Sequence, residues 1–119
     1  MRIVKSHGEL SAPEIYFLTM SPSAQKMSDH KNSEIEISKY CIYEDAVKKE
    51  GTETEEMQNI LSILTPDGEI FATNSPTFIS DFVKMMELFE SMNTTVTAIR
   101  IIGGTSKKGR EYITCTYAR

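Results

Sequence analysis

A mainly β domain with five short strands and one helix between the third and fourth is what the sequence predicts. Three observations predict it. Runs rich in β-branched and aromatic residues recur at short intervals, at IEISKYCIYE, MQNILSILT, EIFAT, TVTAIRII and REYITCTYA. Turn chemistry separates them, most plainly at Pro66-Asp67-Gly68. Only one long segment carries apolar residues at helical spacing, with Phe78, Phe82, Met85, Met86 and Phe89 on one side.

The chain has 119 residues, enough for one domain, with 39% hydrophobic and 25% charged residues. Residues 1–33 read as an extension. They hold Pro13, Pro22 and a polar stretch, SPSAQKMSDHKNS, and allow either a short helix over Pro13–Met20 or an extended arm. Residues 34–119 form the folded unit. Its first strand, IEISKYCIYE, is expected to bend or bulge, because strict alternation from Ile35 and Ile37 turns Lys39 inward. DAVKKEGTETEE, charged and glycine-containing, reads as a long loop. MQNILSILT and EIFAT make a hairpin across Pro66-Asp67-Gly68, where Pro presets φ and Gly accepts a positive φ. Ser75 caps the helix and Pro76 suits its first turn. TVTAIRII leads through Gly103-Gly104 to a turn, and REYITCTYA returns as the fifth strand. The order β-β-β-α-β-β matches the OB-fold, a five-stranded Greek-key barrel. An open α+β sheet with one packed helix is the alternative.

The stretch GTSKKGRE nearly has the spacing of a nucleotide-binding loop, but Arg110 and Glu111 stand where Lys and Ser or Thr belong. Such a loop also joins a strand to a helix, whereas a strand pattern follows here. The glycines are therefore expected to be turn residues, with the cations free to meet an extended phosphate backbone.

Charge is sorted along the chain. Glu44–Met57 holds six acids against two bases, while Gly103–Arg119 holds four bases against one acid, within a formal net charge of −4. Cys41 and Cys115 lie far apart outside any CxxC pair, and read as small buried hydrophobes in a reducing compartment. His7 and His30 have no metal-ligand spacing, so no metal site or cofactor is expected. No run is apolar and long enough for a membrane span or signal peptide, which points to a cytoplasmic protein. No carboxylate is placed with a His, Cys or Ser partner, so no enzyme is expected; a nuclease is the strongest enzyme rival.

Resemblance adds to this. SPSAQKMSD, a strand ending YCIYED, then ILSILTPDGEIFATNSPTFISDFVKMME and IIGGTSKKGREYITC, together resemble the single-stranded DNA-binding proteins of lactococcal and related phages. The likeness covers residues 19–115. It implies an OB-fold that coats single-stranded DNA without strong sequence preference during phage replication or recombination, in the host cytoplasm, as a homo-oligomer (dimer or tetramer). The sequence ends TYAR, without the acidic tail through which many bacterial counterparts recruit partners.

Sequence-tolerant single-strand binding needs cations for phosphates and flat side chains for bases. The candidate cations are Lys107 and Lys108 at the loop, Arg110 at the start of the fifth strand, Arg100 on the outward side of the fourth and Lys39 on the first. Lys48 and Lys49 in the acidic segment are weaker candidates. Among aromatics, alternation turns Tyr112 outward and Tyr117 inward, and leaves Tyr40 against Tyr43 open. Phe71, flanked by Ile70 and Ala72, is a further candidate. A protein–protein adaptor using the acidic segment is the competing function.

Overall fold

The computed structural model describes residues 1–48, 51 and 53–118. Its strands are β1 (Arg2–Ser6), β2 (Gln25–Lys26), β3 (Glu34–Glu36), β4 (Lys39–Lys48), β5 (Glu55–Leu64), β6 (Ile70–Thr73), β7 (Ala98–Thr105) and β8 (Glu111–Tyr117). Two helices, α1 (Ala12–Met20) and α2 (Pro76–Ser91), accompany them. Five strands form one sheet in the order β1-β4-β5-β6-β2, and three form a second in the order β3-β7-β8. The mainly β class and the single helix after the third predicted strand are as expected.

The first predicted strand is two strands. Ile37 N–H donates to the Thr97 carbonyl, on the β7 side, while Ser38 N–H donates to the Leu64 carbonyl, on the β5 side. The chain thus changes sheets between Ile37 and Ser38. The inward parity shifts with it: Ile35 faces the main core before the switch, and Tyr40 and Ile42 face it afterwards. This is the expected bend, and it relieves Lys39 of an inward position.

The expected closed barrel is not found. Among the described residues no ladder joins β6 to β8, so the structure is open there. The free edge of β6 is taken instead by β2, in parallel, with Gln25 opposite Phe71 and Lys26 opposite Ala72. Residues 1–33 are thereby built into the sheet at both ends. β1 pairs antiparallel with β4, with an irregularity between Ile3 and Lys5. Ser11 and Glu14 make a reciprocal capping box at the start of α1, and Leu18 packs against Cys41 and Tyr43. β4 is consequently covered on both faces.

Both ends of the predicted acidic loop are also strand. The β4–β5 ladder continues to Lys48 opposite Glu55, leaving only a short connection. Backbone pairing carries this arm where apolar patterning fades. The β5–β6 turn is as expected: Gly68 sits at φ +89°, and Thr65 N–H donates to the Glu69 carbonyl. α2 starts with Phe78 N–H donating to Ser75 Oγ, and buries Phe78, Ile79, Phe82 and Met86 between the sheets. Phe82 meets Tyr40 edge-on at 5.0 Å between ring centres. Cys41 and Cys115 are free and buried in different clusters. Among the described residues no helix is long and apolar enough to cross a membrane.

Candidate nucleic-acid interface

The basic stretch folds as a tight hairpin turn between β7 and β8. Gly109 N–H donates to the Ser106 carbonyl (2.9 Å), and Ser106 N–H to the Arg110 carbonyl (2.8 Å). Arg110 N–H completes the turn on Ser106 Oγ at 3.1 Å. Gly109 adopts φ +82°, the left-handed conformation that glycine tolerates best. Backbone and Ser106 hold the turn, so the side chains of Lys107, Lys108 and Arg110 are spared that task. All three are exposed. Among the described residues none of them forms an ion pair.

Gly103 and Gly104 differ from expectation. They are paired residues within β7, opposite Ile113 and Tyr112, and the turn begins only after Thr105. Each lies beneath a neighbour's side chain. A Cβ on Gly104 would stand 2.5 Å from Tyr112 Cζ, and one on Gly103 would stand 2.7 Å from Lys31 Cδ. The Lys31 stem therefore crosses Gly103, and its Nζ reaches Glu111 Oε2 at 3.1 Å. Tyr112 is 43% exposed, the outward position that alternation predicts.

An open cleft of about 420 Å³ lies at the unpaired seam between β6 and β8, with Lys31 and Tyr112 among its walls. Ser28, Thr73 and Asn74 are shared with a second hollow on the outer face of β4–β6, which Lys26 and Ile60 also line. The seam cleft also holds Glu111, the partner of Lys31, so its own charge is balanced and Lys26 is the cation of the outer hollow. Another hollow, about 710 Å³, lies between the β4–β5 arm and the start of α2. Among the described residues no Lys or Arg lines it, so it offers a phosphate backbone no counter-charge.

The other candidates divide by burial. Tyr40 is 1% exposed in the main core, enclosed by Phe82 and His7. Burial, with the Glu90 carboxylate nearby, pushes its hydroxyl up to about 12. Tyr43 is buried beside Leu18, and Phe71 is buried against His30, edge-on at 5.0 Å. All three are buried, which departs from the expectation of base stacking, because a buried ring has little surface on which a base could stack. Tyr43 also lines the outer hollow. Tyr117 shares the inward side with Cys115 and Ile113, as expected, and stacks on Phe89 at 4.9 Å, yet stays 49% exposed at the rim.

Arg100 faces outward as predicted, but it is engaged. Its guanidinium donates to the Asn32 carbonyl at 3.3 Å and stands 4.0 Å from the Glu34 carboxylate. Lys39 is half-buried at the far end of β4 from the arm, where its charge helps hold the Glu14 carboxyl low, after the hydrogen bonds from Ser11. Lys49, Arg119 and the Lys48 side chain lie outside the described residues.

The structure therefore assembles Lys107, Lys108, Arg110 and Tyr112, and separates them from the buried rings. Sequence reasoning missed Lys26 and Lys31. They sit in the stretch read as an extension; the pairing of β2 with β6 places Lys26, and the Asn32 N–H donated to the Ile101 carbonyl places Lys31. Compared with protein-family models, curated proteins and solved structures, the chain matches none.

Proposed function

We propose that the chain binds single-stranded DNA, with little sequence preference, through the β7–β8 hairpin and the seam beside it. The observation that carries this reading is the hairpin itself: three exposed cations on a turn, in no ion pair among the described residues, next to an exposed tyrosine on the strand that leaves it. Cations at such a tip meet phosphates, and an exposed aromatic ring accepts any base, since every base has a π-face. Lys26 adds a cation at the outer hollow, while Lys31, paired with Glu111, lines the cleft at the seam.

The architecture supports an open relative of the OB-fold. Counting β3 and β4 as one bent strand, the five predicted strands lie in the order third, second, first, fourth, fifth, with α2 following the third. Only the closing pair between third and fifth strands is missing from that scheme. The likeness to phage single-stranded DNA-binding proteins gives the biological setting: coating of DNA in replication or recombination, as an oligomer, in a bacterial host.

Fluorescence anisotropy with labelled oligo-dT and with duplex of equal length, over a range of salt, tests the reading. Oligo-dT is expected to bind more tightly than duplex, with affinity falling as salt rises. Absence of oligo-dT binding at low salt, or a clear duplex preference, refutes it and favours a protein-binding adaptor.

A further inference from the structure

Nothing in the backbone of β7 requires glycine at position 104. Positive φ angles occur at Gly8, Gly51, Gly68 and Gly109, and Gly104 is not among them. It lies inside a regular ladder, opposite Tyr112, where glycine weakens a strand and marks a close approach. The close approach is that of the Tyr112 ring. A Cβ at this position would meet Tyr112 Cζ at 2.5 Å, the hydroxyl oxygen at 2.6 Å and Cε2 at 2.9 Å. The far end of the ring thus passes directly over the glycine instead of standing away from the sheet.

We propose that Gly104 is a positioning residue that lays the Tyr112 ring across β7, making it a stacking platform for an unpaired nucleobase. This role rests on the single-stranded DNA reading above. A side chain at 104 would prop the ring up and leave it free to rotate. Free rotation costs affinity, because the ring must then be ordered when the base arrives. With glycine beneath it, the ring is set against backbone yet stays 43% exposed, on the strand that follows the turn carrying Lys107, Lys108 and Arg110.

The test compares wild type, Gly104→Ala, Tyr112→Ala and the double variant for oligo-dT binding across salt. The added methyl meets only the movable end of a side chain, so Gly104→Ala is expected to keep its fold, checked by circular dichroism. Tyr112→Ala is expected to bind roughly five- to 150-fold more weakly, as for loss of one stacked base, and Gly104→Ala roughly two- to tenfold more weakly, as for ordering one side chain on binding. The double variant is expected to match Tyr112→Ala, and the salt slope to stay that of wild type, because no cation has been removed.

Wild-type affinity in Gly104→Ala, with Tyr112→Ala impaired, overturns the positioning role. So do losses that simply add in the double variant, or a flattened salt slope in Gly104→Ala. Absence of oligo-dT binding by wild type overturns the DNA reading itself. A second readout reports on the ring itself. The chain has no tryptophan, so Tyr112→Trp supplies a lone tryptophan that can be excited apart from the tyrosines. Oligo-dT is expected to quench it when residue 104 is glycine and to quench it less when Gly104→Ala is added; equal quenching overturns the proposal.

Discussion

Changing Lys107, Lys108 and Arg110 together to Ala removes the only cations on the β7–β8 turn. The turn is expected to survive. Its hydrogen bonds come from the backbone of Ser106, Gly109 and Arg110 and from Ser106 Oγ, none of which the substitutions delete. If each cation displaces one counterion from a single strand, the log–log salt slope loses about 0.7 per cation, roughly 2 in all. Between 50 and 200 mM salt, a fourfold range, wild type then loses about twentyfold more affinity than the variant. Anisotropy with oligo-dT at four or five salt concentrations reads this directly. Lys84→Ala, on the exposed side of α2, is the control for a general change in charge and should leave the slope nearly intact. An unchanged slope in the triple variant, with oligo-dT still bound, would show that the hairpin does not touch phosphate.

Other outcomes follow from the packing. Leu18→Ala should cost about 2–5 kcal/mol in urea unfolding, since Leu18 is buried against Cys41 and Tyr43; a loss under about 0.5 kcal/mol would mean that α1 is not part of the folded unit. The Tyr40 hydroxyl is buried, with the Glu90 carboxylate its neighbouring polar group, so Tyr40→Phe should change stability by no more than about 1 kcal/mol at pH 7. Burial raises Cys41 to about 11 and both Cys115 and Tyr40 to about 12. The folded state then holds protons that the unfolded state releases, so stability is full below the usual thiol and phenol values and falls as pH climbs toward these. Tyr40→Phe should lose less stability than wild type between pH 10 and 12, measured by denaturation at each pH.

The hairpins and α2 were legible because each is a local decision. Pro66-Asp67-Gly68 specifies a turn by its own φ preferences, and Ser75-Pro76 specifies a helix start before any tertiary contact forms. Tyr112 was legible for the same reason, since alternation within β8 fixes its side of the sheet. Tyr40 and Phe71 were not. Parity in the first strand depends on where the chain leaves one sheet for the other, and that point is set by partners at Thr97 and Leu64, far away in sequence. Phe71 is inward because β5 and α2 place the core on that side, which a four-residue strand cannot announce.

Gly103 and Gly104 show the same limit from the opposite direction. Paired glycines before a Lys-rich tip read as turn residues, and glycine is indeed the commonest means of reversing a strand. Here the reversal needs only Gly109. The pair upstream answers a different demand, room above the strand for the Tyr112 ring and the Lys31 stem. Lys31 comes from a segment whose own composition suggests no structure. It reaches the hairpin because Asn32, at φ +68°, donates its N–H to the Ile101 carbonyl and so fixes the preceding residue beside β7. The smallest side chains in the basic stretch thus decide where its largest one lies.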